Sequence, residues 1–241
     1  MQKNLFALSA VLVSGFLFAQ ESVIEPILNY DYTSGTLACG GRFQAPIITG
    51  ETVVRKGTTG SIRFDGKTNF MTVPGGTALS LKNGGTLFAL VRLAEEDGLG
   101  MLYFKADEFL FGFYRGGKLY FNIKSRKSKK FDRPFHVEGI RRGEWHTVAA
   151  ALQRWENGSW TVFLYIDGVR KGSKTFQLTD GYSETENRLI IGRGWNNWRL
   201  NGDVGILQIY DVRLNDSQIR DLSQKVLPHK QDRHISSQSA P

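Results

Sequence analysis

The residues best suited to chemistry lie close together. Arg193–Gly202 reads RGWNNWRLNG, with Trp195 and Trp198, Arg193 and Arg199, and Asn196, Asn197 and Asn201 in ten positions. An indole ring stacks on the apolar face of a sugar, an asparagine amide both donates to and accepts from hydroxyls, and a guanidinium forks onto a carboxylate. A segment that only turned the chain would use Gly, Asn and Asp without two large aromatics. The stretch therefore points to a ligand-binding loop made of Arg193, Trp195, Asn196, Asn197, Trp198 and Arg199. The competing reading folds one or both indoles back onto the core, because Trp is usually mostly buried. Trp195 and Trp198 are three apart and would face opposite sides of an extended strand. A turn through Asn196-Asn197 is needed to bring them to one surface, and Asn tolerates that backbone.

Catalytic constellations do not stand out. His136, His146, His229 and His234 have no metal-ligand spacing, and His146, beside Trp145 at a strand start, reads as structural or surface. No Gly-rich phosphate loop and no Gly-x-Ser-x-Gly elbow occur. Glycoside hydrolysis needs two acids held across a cleft. Glu95-Glu96-Asp97 and Glu184/Glu186 lie in loops rather than in apolar strands that would fix such a geometry.

The elements that must position the loop are strands. Ile27–Tyr32, Ser61–Phe64, Phe70–Val73, Met101–Ala106, Lys118–Ile123, Trp145–Gln153 and Val169–Phe176 are β-rich runs between turn signals. Thr86–Leu93 is nearly all apolar and reads as a central strand buried on both faces. In Phe109–Tyr114 the three phenylalanines alternate with Leu110, Gly112 and Tyr114, which is period two. Asp167-Gly168 between Trp160–Ile166 and Val169–Phe176 signals a tight type I′ hairpin. Leu189–Ile191 and Val204–Tyr210 flank the recognition loop. Thr33–Gly60 reads as loop with one short strand at Thr52–Val54. One helix is expected, capped by Asn215 with Gln218 at the capping-box position and running to Leu222. The fold class is all-β, a two-sheet antiparallel jelly-roll sandwich with one short C-terminal helix.

Residues 1–19 read as a secretory signal, with Lys3 as charged start, Leu5–Phe18 as apolar run and a small-residue cleavage site at Ala19. That implies export to periplasm, cell surface or medium. The single domain is expected over 20–224 and a polar tail or linker over 225–241. No stretch reads as a transmembrane segment. Without Lys3 the balance is 31 − 1 = 30 basic against 23 acidic residues, which favours anionic partners. Nucleic acid is not expected, because the basic residues lie mostly outside the aromatic loop and the chain carries an export signal. Lys124–Arg133, KSRKSKKFDR, reads as a solvated basic loop, with an anionic-polymer dock as the alternative. Cys39 is the only cysteine, so no internal disulfide forms, and a buried thiol is expected.

The order GSIRFDGKTNFMTVPG, TLFALVRL, GEWHTVAAAL, TVFLYIDGVRKGS, RLIIGRG and NGDVGILQIYDVRLNDSQIRDL resembles the laminin-G-like, concanavalin A-like jelly-roll module. The resemblance covers roughly Ser22–Ser223. It implies two stacked antiparallel sheets that bind glycans on a concave face or rim loops, sometimes with a calcium ion. It also implies occurrence in exported bacterial proteins, often attached to sialidases and other glycan-acting enzymes. Trp145 matches the family's strand-start core tryptophan. Gly205 and Ile206 stand where the family commonly carries an Asp-Glu pair, so no cofactor is expected to be required and calcium is a minor alternative. The Glu-x-Asp-x-x-Glu strand of the glucanases and the Asp-box repeats of sialidase propellers are absent.

The leading expectation is an exported carbohydrate-binding module for a neutral or anionic glycan, fused to or associated with a sialidase or other glycoside hydrolase. A protein-adhesion module is the second reading, since exposed Trp and Arg also anchor protein interfaces. A glucanase-type enzyme is the third.

Overall fold

The computed structural model describes residues 24–227 except 58, 97, 128–130, 132, 133, 179, 196 and 197. The expected signal segment, most of the tail, and Asn196 and Asn197 lie outside the described residues. Among the described residues the strands are β1 Leu28–Asp31, β2 Ala38–Gly41, β3 Ile47–Thr49, β4 Val53–Arg55, β5 Ser61–Asp65 and β6 Phe70–Val73. They continue as β7 Gly85–Leu93, β8 Gly100–Lys105, β9 Phe109–Tyr114, β10 Lys118–Ile123 and β11 Phe135–Val137. The last are β12 Trp145–Arg154, β13 Ser159–Ile166, β14 Val169–Gln177, β15 Leu189–Ile191 and β16 Asn201–Tyr210, followed by helix α1 Asp216–Val226.

Two antiparallel sheets face each other. One has nine strands on the path β14-β13-β12-β7-β16-β1-β2, with β5 also on β16 and β4 on β5. The other has seven, β11-β10-β9-β8-β15-β6-β3. The expected all-β sandwich with one C-terminal helix is what the chain forms. Period two puts Phe109, Phe111 and Phe113 of β9 between the sheets, against Leu87, Ala89 and Val91 of β7 and their neighbours. Both faces of β7 are buried, as its apolar run demands. Phe88 and Leu90 point away from the inter-sheet core and are covered by Leu214 and Ile219, at the foot and on the inner side of α1. Asn215 and Gln218 form the complete capping box, and the helix extends four residues past Leu222.

One strand organises the nine-stranded sheet. Along one edge β16 pairs with β7, while its other edge is shared between β5 and β1. The division falls at Gly205, where the β16–β7 register slips between Val204 and Ile206. There the Gly205 carbonyl accepts from Tyr32 N at 2.7 Å. A bulge of this kind leaves one residue outside the ladder.

Several expectations are corrected. Cys39 is exposed, because β2 is the outermost strand on its side of the sheet and ACGG offers no bulk to cover the thiol. The stretch read as loop over Thr33–Gly60 holds β2 and β3 as well as β4, all short edge strands with weak β patterning. β11 was not expected either. Trp145 is only half-buried. It packs with the cluster under α1 and lies beneath the Arg92 guanidinium, 5.1 Å from its ring centre, outside the inter-sheet core.

The hairpin at Asp167-Gly168 forms as expected, with φ of 52° and 75°. His146 locks it from below. Its Nε2 accepts from Arg141 N at 3.0 Å, so Nδ1 carries the proton and donates to Asp167 Oδ2 at 2.8 Å. Asp167 Oδ1 accepts from Thr147 N. A side chain at 168 would also meet Arg220 Cα at 3.0 Å. Gly168→Val is therefore expected to lose at least about 1–3 kcal/mol for the positive φ, with the clash against α1 added. An unchanged melting midpoint would refute the assignment.

The core is rich in tyrosine. Burial drives the phenols of Tyr103 and Tyr182 well above their usual range, and that of Tyr210 up to about 12. Folded-state values above the unfolded 10.0 mean that this contribution to stability is complete below pH 10 and is lost as pH rises through the folded values. Most of the tyrosinate absorbance, that of the buried phenols, is accordingly expected only together with loss of structure above pH 10; ionisation of most tyrosines in a folded protein near pH 10 would contradict it.

Candidate glycan-binding face

The outer face of the seven-stranded sheet carries a second apolar cluster. Met101, Phe104, Leu110 and Tyr120 are buried there, although they point away from the inter-sheet core. What covers them is the Arg193–Arg199 loop. Gly192 turns the chain at φ 86°, where a Cβ would sit 2.3 Å from the Phe64 ring. Gly194 crosses close over Met101. The loop then closes as a small ribbon. Leu200 N donates to Gly192 O at 2.9 Å, Arg193 bridges Arg199, and Gly194 N donates to Trp198 O at 2.8 Å. Trp198 N also donates to Trp195 O at 3.0 Å, which holds the two tryptophan backbones close.

Both indoles lie on this same outer face. Trp195 meets Phe104 at 5.4 Å and Phe131 at 4.9 Å, in edge-to-face geometry, and remains 43% exposed. Trp198 meets Tyr120 at 5.7 Å and Tyr114 at 6.2 Å and is half-buried. Neither reading of the loop holds in pure form. Trp198 caps an outer cluster and Trp195 offers much of its ring to solvent, while the inter-sheet core contains neither. The arginines diverge. Arg193 lies over the Phe70 ring at 4.9 Å. Arg199 lines a cavity of about 210 Å³ at the sandwich end, with Lys67, Glu96, Arg142 and Asn201 above Phe113 and Leu200.

Tyr114, Tyr120, Phe104 and Phe131, which surround the two indoles, were not singled out from the sequence. A signal existed for two of them. If Phe109, Phe111 and Phe113 face inward, Tyr114 faces outward, and the hairpin register sets Tyr120 opposite Gly112 on that same outer face.

The acidic loops do not converge. Glu96 accepts from Asn201 Nδ2 at 3.1 Å beside the first cavity, whereas Glu184 pairs with Lys82 at 2.9 Å beside another. Asp65, also at the first cavity, is engaged in its own turn. Its partial burial raises the carboxyl pKa, but donation from Thr68 Oγ1 and from the amides of Lys67, Thr68 and Asn69 outweighs that and holds it down to about 2. Calcium donors do not gather at the family's expected position either. Gly205 forms the bulge and Ile206 is buried among apolar side chains. No group of three or more His, Cys, Asp or Glu suited to a metal ion occurs among the described residues. No helix of the described residues is long and apolar enough to cross a membrane.

Residues 65–220 match the family profile described as Concanavalin A-like lectin/glucanases superfamily. Among solved structures, domain 4 of an extracellular GH43 arabinanase from Geobacillus stearothermophilus, in complex with arabinotriose, is similar over 83% of this chain and 99% of that one. Its TM-score is 0.65 at 21% identity. The binding domain of botulinum neurotoxin DC in complex with rat synaptotagmin II is similar with a TM-score of 0.67 at 11% identity, over 83% of this chain. The same toxin domain in complex with SialylT gives 0.66 at 11%. This chain spans about half the length of those toxin domains. No curated protein sequence matches the chain.

Proposed function

Because the chain belongs to the concanavalin A-like lectin/glucanases superfamily, we propose that it is an exported carbohydrate-binding module whose ligand lies across Trp195 and Trp198. The observation that carries this reading is the ribbon laid on the outer sheet face. It joins a part-exposed indole at Trp195 to an exposed Tyr114 with half-buried Trp198 between them. A row of aromatic rings on a rigid sheet suits successive sugar rings, since each ring binds an apolar sugar face without losing much side-chain entropy. Asn196 and Asn197 would supply hydroxyl contacts, with Arg193 and Arg199 beside them in the sequence. The arabinotriose complex of the similar arabinanase domain supports the ligand class and attachment to a glycoside hydrolase, such as an arabinanase or sialidase. A glycan array with the mature protein tests the reading. Binding to no glycan class would reject it.

Calcium is not needed in this proposal, given the bulge glycine and apolar residue at the family's acidic positions. A chelator is expected to leave both the melting midpoint and the array pattern unchanged. A drop of several degrees would overturn that expectation.

One observation favours adhesion as a second reading. Ile47, Ile48, Val53 and Val54 are 55%, 42%, 53% and 40% exposed on edge strands β3 and β4. A pull-down from the culture medium that fails with Trp195→Ala but not with Val53→Lys would count against that edge as the interface.

A further inference from the structure

A second cavity lies at the opposite end of the sandwich, near the start of β7 and the end of β12. Its volume is about 170 Å³. Lys82, Arg126 and Arg154 line it with a single carboxylate, Glu184, so three cations face one anion. Lys82 is paired with Glu184 at 2.9 Å. Arg126 and Arg154 are the other two cations. Among the described residues neither has a carboxylate partner, and the side-chain bond of Arg154 is a long one, 3.5 Å to Lys82 O.

The cavity is built on fixed parts. Its floor is Trp160 and Tyr182, stacked at 5.0 Å and both buried. Tyr182 OH donates to the buried Glu108 at 2.6 Å, and Glu108 is ion-paired to the equally buried Lys105. The Arg126 backbone is held by its N–H donating to Gly181 O at 2.9 Å and by the neighbouring Ser125–Tyr182 bridge. At the mouth stand Gly158 and Gly181. A Cβ on Gly158 would meet nothing within 4 Å, so the entrance there is open.

We infer that this cavity is an anion subsite that takes the acidic substituent of a sugar, a carboxylate or a sulfate ester, between Arg126 and Arg154. Guanidinium forks match the planar oxygens of such groups, and partial enclosure strengthens the attraction. Glu184 argues for a sugar over a bare anion: it repels a second negative charge but accepts from a hydroxyl beside the first. The saccharide half of the inference rests on the carbohydrate-binding reading; the anion half rests on this cavity alone. None of the residues that line it is among those the tryptophans meet, which are Phe104, Phe131, Tyr114 and Tyr120, so the subsite is distinct from the tryptophan face.

The test is amide and indole NMR of the full chain titrated with trigalacturonate, a sulfated disaccharide, neutral arabinotriose and sodium sulfate. One or both acidic saccharides are expected to shift Gly158, Gly181 and the Trp160 indole N–H, and the tighter of the two identifies the substituent. Arg126→Ala/Arg154→Ala should raise that Kd at least tenfold, and added salt should weaken binding. Trp195→Ala/Trp198→Ala should leave these shifts intact, which separates this site from the proposed glycan face. The inference falls if neither acidic saccharide moves these resonances, or if arabinotriose moves them equally. It also falls if the double arginine variant binds like the parent, or if sulfate binds as tightly as the saccharides, which would mean an adventitious ion only. Resonances elsewhere in each variant's spectrum report that the fold is retained.

Discussion

Lys105→Met is expected to destabilise the protein by about 3–5 kcal/mol, a loss large enough to unfold a domain of ordinary stability. Both side chains of the Lys105–Glu108 pair are fully buried. Lys105 Nζ also donates to Thr185 O at 2.6 Å, and Glu108 accepts from Tyr182 OH and Thr185 N. This network ties the β8–β9 turn to the 178–188 loop, which has little regular structure of its own. Removing the lysine alone leaves a carboxylate in a site where its opposite charge was the main compensation. The double change Lys105→Met/Glu108→Leu removes both charges and is expected to recover most of the loss, since an apolar pair of similar volume can replace a buried ion pair. Urea denaturation of the two variants checks this. If the single variant is as stable as the parent, the pair does not hold the loop; if the double variant is no better than the single, the carboxylate was not the liability.

Trp195→Ala is expected to cut glycan affinity by at least about 2 kcal/mol, roughly thirtyfold, while moving stability little. The reasoning is exposure. A fully buried Trp→Ala change costs about 3–5 kcal/mol, but a ring 43% exposed with two edge contacts has much less to lose. Trp198→Ala should differ in kind. Its ring covers Tyr120, so about 1–3 kcal/mol of stability should go along with the affinity. Paired melting and glycan-binding assays on each single variant separate the two roles. Normal binding by a folded Trp195→Ala protein would sink the site.

The legible parts of this fold were those where pattern and turn chemistry agree. β7, β9, β12 and β13 carry clear apolar runs or alternation, and Asp167-Gly168 and Asn215/Gln218 are local rules that the structure obeys. The aromatic loop was legible from composition alone, and the need for a turn between its indoles from spacing alone. What lay on either side of them was not. Phe131 comes from a loop with no periodicity, and Phe104 from a strand whose register slips between Met101 and Tyr103, which hides its facing. The Lys105–Glu108 pair was invisible for a different reason. Charged residues beside a turn normally signal solvent, and only the distant Tyr182 and Thr185 make their burial tolerable. β2 and β3 depend wholly on neighbours for their existence.

The shared edge of β16 has a kinetic consequence. Leu28 at the start of β1 pairs with Ile209 near the end of β16, a sequence separation of 209 − 28 = 181 residues, and β5 and β7 dock on the same strand. The middle of the nine-stranded sheet therefore has no template until residue 210 has been synthesised. Such non-local pairing makes for high contact order and slow folding, because loop-closure entropy must be overcome before the contacts form. During synthesis β1, β5 and β7 wait with unpaired edges. The sheet can therefore close only once its last strand has been made.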